Sequence, residues 1–216
     1  LDFSEVLSEE ELEYLKTTPG AYLGSCRCKL PEDLSDPVYP ELFCKFENLN
    51  IGYILYIGGN DSMDTVSKLS RYAAMSGSDI LILGEPKTID NDLILTDHTP
   101  GFGSAARYVA TTVREIVTDA SVYDQKAVTI VEIMGRDAGW LTASSALARK
   151  TANDNPYLIY LPEADFSTEQ FVQDVQNAFE KSPSVVVCVS EGIHDADGTL
   201  ICEYDRSAGL DSFGHK

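Results

Sequence analysis

From residue 51 onward, short apolar runs alternate with longer helical stretches, and this alternation restricts the fold more than any other feature of the chain. The runs have the length and the Val, Ile and Leu content of buried strands, and Gly, Asn, Asp or Pro residues punctuate the stretches between them. The predicted strands are 53–57, 80–83, 127–133, 157–161 and 185–189, and the predicted helices are 62–76, 103–121, 138–150 and 168–181. This order predicts an α/β fold, in which a parallel sheet has helices on both faces.

The first 50 residues are less regular. Ser8, with Glu11 three residues later, predicts a short helix that begins with a capping box. The segment after it contains Pro31, Pro37 and Pro40 among acidic residues, and this composition predicts a loop on the protein surface.

The chain is strongly acidic, with 35 Asp and Glu residues against 16 Lys and Arg residues and a formal net charge of −19. This balance argues against binding to nucleic acid or to an anionic membrane surface. A phosphate ligand would need a few local cations, helix N-termini and magnesium. No apolar run approaches ~20 residues and no signal peptide is recognisable, so we expect a cytoplasmic protein whose five cysteines are reduced.

The segment PKTIDND, residues 86–92, follows one of the predicted strands and concentrates reactive side chains on a short loop. Its cation, hydroxyl and two carboxylates are Lys87, Thr88, Asp90 and Asp92. Strand ends of open α/β sheets are where ligands bind, and this set suits a site that takes a proton from a hydroxyl while it neutralises a phosphate. The alternative is a plain turn that Asn91 and Asp92 close.

The segment IGGNDSMD, residues 57–64, leaves another predicted strand. Its two glycines allow a sharp turn and a close approach to a ligand, and Asn60, Asp61 and Ser62 then open a helix. The alternative is that these three residues serve only as helix caps. The chain has neither G-x-G-x-x-G nor a Walker A lysine at this place, which excludes the ordinary dinucleotide and P-loop sites.

Two further strand ends carry polar groups. In MGRDAGW, residues 134–140, Arg136 is a rigid fork that can grip phosphate oxygens in a bidentate way, and Asp137 could cap the next helix. The segment SEG, residues 190–192, adds Glu191. A plain strand–turn–helix corner and a solvated loop acid are the respective alternatives.

Taken together, these motifs resemble the phosphofructokinase family. GGNDS is similar to the phosphoryl-donor motif of that family, PKTIDND to its catalytic loop, and MGRDAG and SEG to its sugar-phosphate motifs. The resemblance extends to residues 99–107, which look like the helix start after the catalytic loop, to Gly214-His215, and more weakly to residues 24–27. It implies a three-layer α/β/α fold with mostly parallel sheets, incomplete at both ends in this chain.

The resemblance also implies roles for individual residues. Asp90 would be the general base for a sugar hydroxyl, and Lys87 and Asp61 would complete the catalytic group. The implied substrate-binding residues are Thr88, Ile89, Asp92, Met134, Gly135, Arg136, Glu191 and His215, and the implied donor-binding residues are Gly59, Asn60, Ser62 and Arg27. Asn60 stands where most relatives have the aspartate tied to Mg²⁺, and a neutral amide is a weaker ligand for this cation.

The implied reaction is transfer of a phosphoryl group to the 1-hydroxyl of fructose 6-phosphate, giving fructose 1,6-bisphosphate. ATP-using relatives carry glycine where Asp61 stands, and often where Lys87 stands, so pyrophosphate is the predicted donor. A carboxylate ~4 Å from the α-phosphate of ATP would repel it by ~4 kcal/mol at an effective dielectric of ~20. The alternatives are an ATP-dependent 6-phosphofructokinase, a non-catalytic phosphate-binding or assembly domain of the same fold, and sedoheptulose 7-phosphate as the acceptor.

The implied domain organisation divides the chain near Tyr123. Residues 1–122 would be part of the larger, phosphoryl-donor domain, and residues 123–216 part of the smaller, sugar-phosphate domain. We expect the chain to be an internal fragment of a longer enzyme that forms a homodimer or homotetramer, and to be weakly active or inactive by itself.

Overall fold

Two small parallel sheets form the centre of the part of the chain that the structure describes. The structure, a computed structural model, describes residues 3–20, 22 and 28–205 of the 216. The elements in chain order are α1 (Phe3–Val6), α2 (Glu9–Leu15), α3 (Val38–Asn48), β1 (Tyr53–Gly58), α4 (Asn60–Ser76), β2 (Leu81–Pro86), α5 (Phe102–Ala120), β3 (Ala127–Ile133), α6 (Trp140–Ser144), β4 (Leu158–Tyr160), α7 (Thr168–Phe179) and β5 (Ser184–Ser190). Short 3₁₀ helices cover Ser145–Ala148 and Ile201–Glu203.

The first sheet pairs β1 with β2 in parallel, from Tyr53 opposite Leu81 to Gly58 opposite Pro86. One face packs against α3 and α4 through a core of Tyr39, Phe43, Leu69, Ala73, Ile80, Ile54 and Ile82. On the other face, five large apolar side chains are 52–72% exposed: Tyr53, Leu55, Ile57, Leu81 and Leu83. Among the described residues, α3 and α4 cover one face of this sheet, and its other face is exposed.

The second sheet has the strand order β3-β5-β4, and both pairings are parallel. Its central strand, β5, is buried at every residue. Val185 and Val187 pack toward α7, whereas Cys188 packs toward α5 and α6 with Val113 and Leu141. Because helices cover β5 on both faces, the predicted α/β fold with a layered, parallel sheet is confirmed.

Local sequence signals explain several helix ends. Ser8 caps α2, and Glu11 completes the predicted capping box. α4 ends at Gly77, whose φ of 70° lies in the left-handed region that glycine adopts without a steric penalty. Ser167 accepts a hydrogen bond from the Gln170 N–H and so caps α7.

The proline-rich segment near residue 40 was predicted to be a surface loop, and this prediction is wrong. Helix α3 begins directly after Pro37 and carries Pro40 in its first turn, where a helix needs no N–H donor. Tyr39 is fully buried, its ring stacks on Tyr72 with centroids 5.2 Å apart, and its hydroxyl donates to the Pro31 carbonyl. The composition signalled a loop, but burial of one face of the segment stabilises a helix.

The predicted helix 138–150 is shorter in the structure and begins later. α6 and the following 3₁₀ helix cover only Trp140–Ser144 and Ser145–Ala148. Gly139 is the N-cap and no side chain caps this helix, so the prediction that Asp137 would do so is wrong.

Helix α5 precedes the predicted domain boundary at residues 122 and 123, yet it packs against the second sheet. Its Val113 shares a core with Ile133 of β3 and Cys188 of β5. The boundary itself stays a prediction. In the part of the chain that the structure describes, no helix has both the length and the apolar character needed to cross a membrane.

Candidate active site

The carboxyl ends of β1 and β2 bring the first two motifs together. Gly58 and Pro86 are paired in the sheet, and the Lys87 N–H donates to the Gly58 carbonyl at 2.8 Å. Gly58 has no room for a side chain, because a Cβ there would lie 2.1 Å from the Ser62 Oγ. Residues 59–62 and 87–92, which we call the first cluster, therefore lie side by side at one edge of the sheet.

The start of α4 leaves its polar side chains free for a ligand. Gly59 is the N-cap and makes no side-chain cap, so Asn60, Asp61 and Ser62 are the first three residues of the helix and not its caps. Asn60 and Asp61 are exposed, and the Lys29 Nζ lies 3.8 Å from the Asp61 Oδ1. The N–H groups of the first turn and the helix dipole favour an anion at this position.

The loop after β2 is held by Asn91 rather than by its acids. Asn91 is buried with a φ of 62°, accepts from the Thr99 N–H at 2.8 Å and donates to the Asp97 carbonyl at 3.2 Å. Asp90 and Asp92 are half-buried on either side of it, and each has a buried Oδ1 without a hydrogen-bond partner among the described residues. A buried, unpaired carboxylate oxygen costs folding free energy, which makes the loop a candidate for a functional site.

The electrostatic surroundings of Asp90 come from both sheets. Burial raises the pKa of the Asp90 carboxyl above its usual range, and the negative charges of Asp92 and Glu191 raise it further. Lys87 partly opposes this rise in pKa, and Asp137 adds to it. Glu191 and Asp137 follow strands of the second sheet, and their charges nevertheless act on Asp90 in the first cluster. The carboxyl ends of the two sheets are therefore near each other. A carboxylate with a raised pKa is a better proton acceptor than an ordinary aspartate.

The carboxyl ends of β3 and β5 form a second cluster, residues 134–139 and 190–192. The paired residues Ile133 and Ser190 end the two strands together. Gly135 has a φ of 122°, and its N–H donates to the Glu191 Oε1 at 3.1 Å. A Cβ on Gly192 would lie 1.7 Å from the Arg136 carbonyl oxygen, so the two segments touch through their backbones. The Arg136 side chain is exposed above this contact.

One acid at a strand end escaped the sequence analysis. Glu163 follows β4, and its Oε1 accepts from the Gly139 N–H at 2.7 Å. It anchors the far end of the segment that carries Arg136. The signal that applied to the other motifs was present here too, because Glu163 follows the apolar run 157–161.

The structure brings the two clusters into one region but holds no substrate, so the individual roles stay predictions. Ile89 from the first cluster and Met134 from the second line the same apolar cavity of about 340 Å³. Thr88 accepts from the Asp90 N–H at 3.1 Å within the loop. The predicted site residues Arg27 and His215 lie outside the described residues.

A protein-only metal site is not evident. Within residues 3–20, 22 and 28–205, no group of three or more His, Cys, Asp or Glu side chains could hold a metal ion. Mg²⁺ in phosphate-transfer sites is held by a few protein oxygens together with the substrate phosphates, and the exposed amide of Asn60 beside the α4 N-terminus fits that kind of binding.

Comparison with known proteins decides the family. A family model described as Phosphofructokinase matches residues 2–212. The chain belongs to the phosphofructokinase family. The resemblance of the motifs is thereby confirmed, and the two clusters lie at the ends of parallel strands in a phosphofructokinase fold.

Several curated relatives of this chain are named pyrophosphate–fructose 6-phosphate 1-phosphotransferases. One from Rhodospirillum rubrum is 46% identical over 88% of this chain and 46% of its own length. One from Xanthomonas campestris is 44% identical over 93% of this chain and 48% of its own length. An ATP-dependent 6-phosphofructokinase 2 from Streptomyces coelicolor is 32% identical over 91% of this chain and 53% of its own length. The chain thus spans about half the length of the curated relatives it matches.

A solved structure is also similar to this chain and supports the assignment to the phosphofructokinase family. The pyrophosphate-dependent phosphofructokinase from Marinobacter aquaeolei is 35% identical and superposes with a TM-score of 0.74. The match covers 99% of this chain and 53% of that chain.

Proposed function

We propose that the protein carrying this chain transfers a phosphoryl group from pyrophosphate to the 1-hydroxyl of fructose 6-phosphate and so forms fructose 1,6-bisphosphate. The observation that carries this proposal is the position of Asp90. It lies in the first cluster with an unpaired carboxylate oxygen, and its pKa is raised by burial and by the charges of Asp92 and of Glu191 in the second cluster. The names of the relatives that are 46% and 44% identical support the choice of donor and acceptor.

In this mechanism Asp90 accepts the proton of the sugar hydroxyl as the oxygen attacks phosphorus. Burial and the negative charge of Asp92 strengthen Asp90 as a base. Lys87, which precedes it on the same loop, neutralises charge on the transferring group, and Arg136 in the second cluster grips the sugar phosphate in a bidentate way. The reaction then depends on positioning and charge neutralisation, as phosphoryl transfer generally does.

The donor is selected at the start of α4. Asp61 is exposed at the second residue of the helix, where its carboxylate repels the α-phosphate that ATP has and pyrophosphate lacks. Mg²⁺, when bound with the pyrophosphate, would supply charge neutralisation for the phosphoryl oxygens, and Asn60 is the residue of this chain that would hold it. A cytoplasmic location and assembly into a homodimer or homotetramer stay predictions.

A non-catalytic phosphate-binding domain is the weaker alternative. Such a domain gains nothing from a half-buried aspartate whose ionised form is disfavoured, because burial and like charges only reduce its stability. The retained combination of Asp90 with Lys87 and Asp61 therefore favours catalysis.

The test is a donor comparison in the full-length protein, with Asp90→Asn and Asp97→Asn as matched variants. Asp97 is an exposed acid on the same loop. We expect turnover of fructose 6-phosphate with pyrophosphate rather than ATP. We also expect a loss on the order of 10²–10⁴-fold in kcat for Asp90→Asn, and none for Asp97→Asn.

A clear preference for ATP would contradict the role of Asp61. A wild-type protein that binds fructose 6-phosphate but turns over neither donor would contradict the enzyme assignment and support the binding domain.

A further inference from the structure

We propose that Ser190 is a positioning residue of the sugar-phosphate pocket, an inference that rests on the proposed function. Its hydroxyl holds the turn at Gly135, and with it Arg136, in a fixed relation to Glu191. Ser190 itself does not touch the substrate.

The hydroxyl of Ser190 joins the two segments of the second cluster. Ser190 is the last residue of β5 and is 1% exposed. Its Oγ donates to the Gly135 carbonyl at 2.5 Å and accepts from the Gly192 N–H at 3.1 Å. A hydroxyl can donate and accept at once, and here both capacities are used by backbone groups of the cluster.

Both backbone polar groups of Gly135, its N–H and its carbonyl, are consequently hydrogen-bonded to two consecutive residues, Ser190 at the end of β5 and Glu191 after it. Its N–H donates to the Glu191 carboxylate, and its carbonyl accepts from the Ser190 hydroxyl. The turn is tight enough to exclude any side chain at this residue, because a Cβ on Gly135 would lie 2.3 Å from the Ala138 carbonyl oxygen. The orientation of the Arg136 backbone thus depends on the two hydrogen bonds that hold Gly135, the residue before it.

Loss of the hydroxyl would leave the Gly135 carbonyl and the Gly192 N–H without their partner in a buried place. Buried, unpaired backbone groups are costly, so the turn would shift toward water or other partners. Bidentate grip of a phosphate by arginine requires a defined orientation of the guanidinium, and a displacement of ~1 Å in a site can cost ~10²-fold in rate. Binding of the sugar phosphate should therefore weaken, while the pyrophosphate site on the other sheet should change little.

The same strand offers a matched control. Ser184, at the opposite end of β5, is 3% exposed and so as deeply buried as Ser190. At ~3.3 Å per residue, six residues place it ~20 Å from the second cluster. Ser184→Ala removes a buried hydroxyl from β5 without touching the turn.

The experiment measures kcat, the KM for fructose 6-phosphate and the KM for pyrophosphate in the full-length protein, for Ser190→Ala, Ser190→Thr and Ser184→Ala. We expect Ser190→Ala to raise the KM for fructose 6-phosphate on the order of 10-fold and to leave the KM for pyrophosphate within about 2-fold. Ser190→Thr restores the hydroxyl and should return most of the affinity, and Ser184→Ala should change neither KM.

An unchanged KM for fructose 6-phosphate in folded Ser190→Ala would overturn the proposal, as would an equal rise in both KM values or a failure of Ser190→Thr to restore affinity. Should Ser190→Ala not fold, Ser190→Cys keeps a small, unbranched side chain but has a weaker donor. A raised KM for fructose 6-phosphate in that variant supports the proposal, and a wild-type KM overturns it.

Calorimetric titration with fructose 6-phosphate separates this inference from the proposed function. If the wild-type protein binds the sugar phosphate but does not turn it over, the proposed function fails, while weaker binding by Ser190→Ala than by Ser184→Ala still supports the role of Ser190. Equal binding by the two variants overturns that role. A wild-type protein that does not bind fructose 6-phosphate overturns both.

Discussion

The two clusters at the strand ends differ in what holds their side chains. In the first cluster, Asn60, Asp61 and Lys87 are exposed, and Asp61 forms a loose, exposed ion pair with Lys29 at 3.8 Å. In the second cluster, hydrogen bonds to the Glu191 and Ser190 side chains fix a turn beneath one exposed arginine. The first cluster presents charges, whereas the second presents a preformed backbone.

The sheets that carry the clusters differ in burial: the sheet of the second cluster is more deeply buried than the sheet of the first. β5 is buried along its whole length between two helical layers, whereas β1 and β2 leave one apolar face exposed among the described residues. We infer that the second cluster is preorganised for an acceptor of constant shape, and that the first is ordered by the charge of the phosphoryl donor and its metal ion. Preorganisation reduces the entropy lost on binding, and exposed charges gain their strength only when water is displaced.

The largest effect that this comparison predicts is a change of donor in the first cluster. Asp61→Gly removes the carboxylate that we propose repels the α-phosphate, so ATP-dependent turnover should rise by up to ~10³-fold relative to pyrophosphate-dependent turnover. Steady-state kinetics with each donor measures this ratio. Asp61→Asn keeps the size but not the charge and should give much of the same change, whereas a ratio that stays constant in both variants would show that charge at this residue does not select the donor.

A second prediction contrasts two glycines, one from each cluster. Gly192→Ala places a Cβ against the Arg136 carbonyl and should lower the free energy of unfolding by about 1–3 kcal/mol. In Gly59→Ala the new Cβ would lie 3.7 Å from its nearest neighbour, the Lys87 carbonyl oxygen, which is an ordinary van der Waals contact. This variant should lower the free energy of unfolding by less than about 1 kcal/mol. Urea unfolding of both variants is the measurement, and equal losses would refute the contrast in rigidity.

The pH dependence of turnover tests the effect of neighbouring charges on Asp90 within the first cluster. Asp90 must be ionised to act as a base, and its raised pKa places the acid limb of kcat/KM above the ~3.9 of a free aspartate. Asp92→Asn removes a charge that raises this pKa, so the limb should move to lower pH. Lys87→Gln removes a charge that lowers it, so the limb should move to higher pH. Shifts in the same direction in both variants would contradict the assignment of the limb to Asp90.

The same carboxyl gives a prediction for stability. Because the pKa of Asp90 is higher in the folded than in the unfolded protein, its contribution to stability is present below about pH 3.9 and is lost as the pH rises through the folded-state pKa. Asp90→Asn should therefore unfold at a higher urea concentration than the wild type at pH 7, with a smaller difference near pH 4. A variant less stable than the wild type at pH 7 would show that the charge of Asp90 is compensated in the folded protein.

The smallest expected effect concerns Lys29. Its ion pair with Asp61 spans 3.8 Å between side chains that are 81% and 76% exposed. Exposed pairs contribute at most about 1 kcal/mol, so Lys29→Ala should leave the free energy of unfolding nearly unchanged. A larger loss in thermal or urea unfolding would show that the first cluster is more firmly held than its exposure indicates.

Much of the fold could be predicted because its signals are local. The five strands and most helices follow from apolar periodicity, and the capping box at Ser8 and Glu11 is complete within four residues. Helix α3 could not be predicted from its prolines, since what stabilises it is the burial of Tyr39 against Tyr72, a residue far along the chain. The positioning role that we propose for Ser190 could not be predicted for the same reason, since its partner Gly135 follows another strand. Glu163, by contrast, follows an apolar run as the other motifs do, and that signal was overlooked.

The sequence by itself determined which chemical groups leave the strand ends, and motifs as long as PKTIDND and MGRDAG were sufficient to identify the family. Only the tertiary structure decided how those groups influence one another: that Glu191 raises the pKa of Asp90, about 100 residues earlier in the chain, and that the Ser190 hydroxyl closes onto Gly135. The physical reason is that burial and charge act through space, over distances set by the packing of whole sheets, and no short stretch of residues contains those distances.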